Sequence, residues 1–172
     1  MTATTRTAAV TLAMLAASAI AATPAGADDS PGAAVTVQGE LRDLEPAAAG
    51  PLDGAEATLT MASHDGSTTA VLTVRGIDRS AVDHTFGAHL HVGPCVAGDG
   101  AAAGPHFNAG GQPSPDTEIW LDFTVTGGGT GHAVAQVPFV PAPGNRAIVI
   151  HRDFTAPNGV AGPRLACLPV SW

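Results

Sequence analysis

The sequence predicts an all-β domain, an antiparallel sandwich or flattened barrel of about eight short strands. Three observations carry that expectation. Apolar and polar residues alternate with period two over run after run, as in Ala55, Ala57, Leu59 and Met61, or Ile119, Leu121 and Phe123. The runs are separated by turn-forming stretches such as His64-Asp-Gly66 and Gly127-Gly-Gly-Thr-Gly131. No helical periodicity of useful length follows the first thirty or so residues.

Taken in order, Asp28–Ala34 reads as a loose polar lead-in, and Val35–Leu41 as a first strand with Val35 and Val37 on one side. Glu45–Asp53, rich in Ala, Pro and Gly, is a loop. Gly54–Ala62 and Thr68–Arg75 are partner strands, because the Asp-Gly between them favours a two-residue hairpin turn. Gly76–Thr85 connects to a strand at Phe86–Val92, and Pro94–Pro115 forms a long loop. Strands are expected again at Asp116–Val125, His132–Phe139, Arg146–His151 and Arg164–Val170, with a short loop, Arg152–Pro163, before the last.

Met1–Ala27 has the form of a secretory signal peptide. Arg6 is its only charge, Ala8–Ala22 is mostly apolar, and Ala25-Gly-Ala27 supplies small residues for cleavage. The expected mature domain is 28–172, exported from the cell, and no later stretch is long and apolar enough to span a membrane. The whole chain carries a formal charge of −8; removing Arg6 leaves −9 on the mature part, which has no lysine. That balance speaks against nucleic acid or an anionic membrane as partner. Chemistry on an anion would need a local positive group.

The residue types that carry chemistry gather in Phe86–Asn108. His89 and His91 lie two apart in a predicted strand, so both imidazoles leave the same face. His106 follows in a Gly- and Pro-rich loop, and His151 ends the apolar run Ala147–Ile150. An H-x-H pair alone is weak, but a third histidine in a turn and a fourth at a strand end point to a metal site. Nitrogen ligands suit copper, zinc or iron. Cys95 and Cys167 both lie in the exported part, where two thiols most simply close one disulfide. Thiolate metal ligands are the competing reading, weakened because the histidines already supply a full set.

Four segments together resemble, in order, the metal and disulfide motifs of the copper/zinc superoxide dismutases: Gly87-Ala-His-Leu-His91, Ala103-Gly-Pro-His-Phe-Asn108, Ile148-Val-Ile-His151 and Gly162-Pro-Arg-Leu-Ala-Cys167. The resemblance implies an eight-stranded Greek-key barrel and an enzyme that disproportionates superoxide at copper. His89, His91, His106 and His151 would be the copper ligands, and His106, matching the family's bridging ligand, the one that carries a proton. Arg164 matches the arginine that guides superoxide to copper, and Cys95 with Cys167 matches the intrasubunit disulfide.

Two departures from the family pattern point to its copper-only branch. After His106 no histidine appears until His132, in a different predicted strand, so the zinc site looks lost. Asp116, Glu118 and Asp122 are the carboxylates near the zinc position, but they cannot replace the missing imidazoles. The segment between His151 and Arg164 is also shorter than the family's electrostatic loop. His64, His84 and His132 match no ligand position; the first two are expected in solvent and His132 on an outer strand face. Trp120 and Trp172 are expected to serve packing only. The alternative function is a non-catalytic extracellular protein that buffers copper with the same four histidines.

Overall fold

The computed structural model describes residues 1–2, 32–46 and 49–172. The segment expected from the sequence to be a signal peptide therefore lies outside the described residues, apart from its first two. The described chain is almost entirely β. Its strands are β1 (Ala34–Glu40), β2 (Arg42–Asp43), β3 (Glu56–His64), β4 (Ser67–Arg75), β5 (Thr85–His91), β6 (Phe123–Thr124), β7 (Thr130–Val137), β8 (Asn145–His151) and β9 (Arg164–Ser171). They form two antiparallel sheets, ordered β1-β3-β4-β7 and β2-β9-β8-β5-β6, packed as a sandwich.

The first sheet has one wet face. Burial alternates strictly along β3 and β4, and the register sets Ala57 opposite Val74, Leu59 opposite Leu72 and Met61 opposite Ala70. Between them His64 pairs with Ser67, so Asp65-Gly66 forms the two-residue turn, with φ of 50° and 74°. Both residues being left-handed is what a type I′ hairpin requires, and Asp-Gly supplies it at low strain. Across the core, Phe86, Ala88, Leu90, Ile148, Ile150, Leu168 and Val170 of the second sheet meet this layer.

The second sheet differs in that β5 and β8 are buried on both faces. Their inner faces meet the core. On the outer face, Ala147 and Val149 are covered by Leu44, Cys95, Ala103 and Cys167, which form a second small apolar cluster. The H-x-H pair lies on this outer face, and the loops after β5 and β8 close over it.

Asp116–Val125 is not the continuous strand that its alternation predicts. Phe123–Thr124 pairs continuously with Phe86 and Thr85, and beyond a break Trp120 bridges His89. Ile119, Leu121 and Phe123 are nonetheless buried, so the apolar period was read correctly. The ladder is interrupted because side chains replace backbone partners. The Asp122 carboxylate accepts from the Ala88 N–H at 3.1 Å, and Glu118 turns inward to gather donors of its own. Leu121 N–H to Ala88 O and Leu90 N–H to Ile119 O make the bridge between His89 and Trp120 and keep the segment against β5 in the same register.

Candidate metal centre

Sheet geometry brings three of the four histidines together. In the β5–β8 register Gly87 lies opposite His151 and His89 opposite Val149. Residues 87, 89 and 91 share one face, so His151 projects from the same face as His89 and His91. His106 arrives from the loop after β5. An isolated bridge to His91 holds it there, with Phe107 N–H donating to Leu90 O at 2.7 Å. One ligand atom from each of the four imidazoles lies within 4.8 Å of every other. Among the described residues this is the one group of three or more potential ligands so arranged.

Each ring has one nitrogen engaged by the protein. His91 Nδ1 donates to Gly104 O at 2.9 Å, and His151 Nδ1 to Gly162 O at 3.0 Å. His106 Nδ1 donates to Glu118 Oε2 at 2.8 Å, and His89 Nε2 lies 2.7 Å from Thr155 Oγ1. The carbonyl and carboxylate partners fix the orientation and tautomer of His91, His106 and His151, as partners of metal-bound histidines generally do, and Thr155 orients His89. The remaining nitrogens have only one another. With both Nδ1 atoms donating, His91 Nε2 and His151 Nε2 face each other at 3.3 Å with bare lone pairs. His89 Nδ1 is the sole buried side-chain nitrogen or oxygen among the described residues with no partner. A cation at the centre satisfies all of them, and four neutral imidazoles suit a transition metal such as copper, zinc or iron.

The electrostatics agree. Burial, reinforced by repulsion from the neighbouring imidazoles, pushes His89 down to about 2. Burial likewise pushes His91 down to about 3 and His151 to about 4, with the Arg164 charge contributing to both. All three are thus neutral at physiological pH, the form that ligates metal. His106 is the ring nearest solvent, with 17% of its side chain exposed, whereas His89 and His91 have none.

Glu118 and Trp120 have parts in the site that the sequence does not suggest. Glu118 is buried and receives three donors: His106 Nδ1, Asn108 Nδ2 at 3.0 Å and Trp120 Nε1 at 2.8 Å. Burial alone would raise its carboxyl; the hydrogen bonds from Trp120, Asn108 and His106 outweigh that and hold it below the ordinary value. Trp120 is therefore more than packing, since its indole both orients this carboxylate and sits edge-on to His89 at 6.1 Å. Asp122 lies elsewhere, on Thr155 and Ala88, and Asp116 is exposed. The three carboxylates form no cluster of their own. Trp172 donates to Pro141 O and packs against the core as expected.

Cys95 and Cys167 form a disulfide, which excludes the thiolate-ligand reading. It ties the loop that follows β5 to β9, three residues beyond Arg164. Arg164 is half-buried and donates through Nη1 to Gly100 O and through Nη2 to Gly104 O. Gly104 takes φ of 66°, which L side chains rarely adopt, and its carbonyl serves both Arg164 and His91. The guanidinium is thereby held beside the histidine cluster, and it has no carboxylate partner among the described residues.

The other histidines stand apart. His64 is exposed and pairs with Asp65, His132 is exposed beside Thr73, and His84 is exposed with Nε2 on Arg152 O. Thr155 is the contact that no sequence signal revealed. A threonine in a loop has many ordinary uses, and only the fold sets it against His89. No helix among the described residues is long and apolar enough to cross a membrane.

The fold and the site together define an all-β sandwich with a four-imidazole cluster that could hold a metal ion, beside a disulfide and a positioned arginine. In comparisons with known proteins, no family model matches the chain and no curated protein matches it.

Proposed function

We propose that the chain is an exported, copper-dependent superoxide dismutase of the copper/zinc superoxide dismutase family, working without the zinc site. One observation carries the reading. Each of the four imidazoles that the motifs assign to copper has one ring nitrogen held by the protein and the other free toward a common centre. His89, His91, His106 and His151 would hold the ion. Copper bound there supplies one-electron exchange, accepting an electron from one superoxide and returning it to a second.

The chain's own residues provide the rest. His106, the most exposed of the four, presents Nε2 where a proton can be taken from solvent and passed to reduced substrate. Glu118 keeps that ring oriented through Nδ1. The same bond engages the nitrogen that a second, bridged metal would need, which supports the loss of zinc. Arg164 offers a permanent charge to a small anion, its plane set by two carbonyls.

The deciding experiment is metal analysis of the purified mature protein with pulse radiolysis of superoxide decay. One copper per chain, no stoichiometric zinc and decay far above the spontaneous rate are expected. Zinc bound alongside copper at one per chain overturns the zinc-free centre. A copper-loaded protein that barely exceeds spontaneous decay transfers the function to non-catalytic copper binding. The burial of His89, His91 and His151 favours that second reading, because it suits retention of an ion more than exchange with a diffusing substrate.

A further inference from the structure

We infer that Thr155 is a positioning residue: with Asp122 it forms a hydroxyl–carboxylate pair that fixes His89 as the Nε2–H tautomer and so leaves Nδ1 for the metal. The presentation of Nδ1 to an ion rests on the copper reading above; the tautomer itself does not. Donor and acceptor bookkeeping carries the inference. An ionised carboxylate can only accept. Asp122 Oδ1 accepts from Ala88 N–H at 3.1 Å and from the Thr155 hydroxyl at 2.7 Å, and Oδ2 accepts from Thr155 N–H at 2.9 Å. The single hydroxyl proton of Thr155 is thereby committed to Asp122. Toward His89 the oxygen has only a lone pair, so the ring must bring the proton to the 2.7 Å contact on Nε2. Nδ1 is then bare, buried and without a partner.

The carboxylate cannot do this unaided, because Asp122 Oδ1 lies 3.8 Å from Nε2, beyond hydrogen-bond reach. The hydroxyl spans the gap. Thr155 is buried, and its segment is seated closely on β5: Gly87 N–H donates to Asp153 O at 2.9 Å. A Cβ on Gly87 would come within 2.7 Å of that carbonyl and 3.0 Å of the Thr155 hydroxyl. The short connection between β8 and β9 thus has a task besides linking strands, which is to set the protonation pattern of a ligand on β5.

The test begins with metal-free protein labelled with ¹⁵N on histidine, using long-range ¹⁵N–¹H correlation above pH 7, and needs no variant. His89 is expected to carry its proton on Nε2; a proton on Nδ1 overturns the inference. Thr155→Val, nearly isosteric, should populate the Nδ1–H form. It should also weaken copper binding by ~10- to 100-fold in chelator competition, the usual effect of losing an outer partner of a ligand. The copper(II) EPR spectrum should change with it, and Thr155→Ser should restore all three. Thr155→Val with unchanged tautomer, affinity and spectrum also overturns it. A parent that shows Nε2–H on His89 yet retains no copper sustains the tautomer assignment and overturns the copper reading.

Discussion

At the residue scale, His89, His91 and His151 are held neutral because burial outweighs the groups that would favour protonation. Their folded-state values, about 2, 3 and 4, lie below the ordinary value of 6.5. Between these values and 6.5 the unfolded chain binds protons that the folded chain refuses, so folding stability rises with pH there. The contribution is complete above 6.5 and is lost as pH falls toward 4 and below. One such histidine gives at most about 1.4 kcal/mol per pH unit. Metal-free protein should therefore lose stability between pH 6.5 and 4.5 with a steeper slope than that, read from denaturant midpoints at each pH. A flat profile over the window would mean the three rings already accept protons in the fold.

At the scale of elements, the site depends on loops held to strands more than on the strands alone. The loop after β5 supplies the Gly104 carbonyl that fixes His91, and the Gly100 carbonyl that holds Arg164. Besides the Arg164 hydrogen bonds, the Cys95–Cys167 bond attaches it covalently to β9, across a sequence separation of 72. In the chain-entropy account, closing a loop of that length contributes about 4 kcal/mol, and measured losses for native disulfides run roughly 2–5 kcal/mol. Replacing both cysteines by Ala should lower stability by that order. It should also weaken copper retention, because the loop bearing the His91 acceptor is released. Chemical denaturation beside a chelator competition measures both. Unchanged copper affinity in the folded double variant would show that Gly104 keeps its place without the bond.

At the scale of the whole molecule, the balance of charge opposes an anionic substrate. The full chain carries −8, and residues 28–172 carry −9. Between His151 and Arg164 the only basic residue is Arg152, and it is paired with Asp153 at 3.0 Å. Arg164 is left as the positive group beside the cluster, and its field falls off over a Debye length of ~8 Å near physiological salt. Arg164→Ala should retain copper, since the guanidinium is no ligand, while lowering the superoxide rate constant by on the order of tenfold. The variant should also lose part of the ionic-strength dependence. Pulse radiolysis across a salt series, with copper measured in each sample, decides this. A variant as fast as the parent at low salt removes the guiding role from Arg164.

How much of this was legible beforehand follows from the range of the interactions involved. Strand identity is local: period-two burial in β3 and β4 and the Asp65-Gly66 turn are written in adjacent residues, and the sandwich follows from them. The clustered histidine set was legible too, because two of them share a strand and the other two sit at a turn and a strand end. The irregular path of 116–122 was not, since a carboxylate that replaces a ladder acceptor leaves the same alternation as a regular strand. Nor could the sequence reveal that Glu118 gathers His106, Asn108 and Trp120, or that Thr155 lies between Asp122 and His89. Those partners are brought within hydrogen-bond distance only when the loops after β5 and β8 fold back over one outer sheet face. There burial removes water as the alternative partner, and each polar group must find its match in the protein. The sequence determined most of the strands and the four histidines that cluster; the tertiary structure decided which nitrogen of each ring the protein engages.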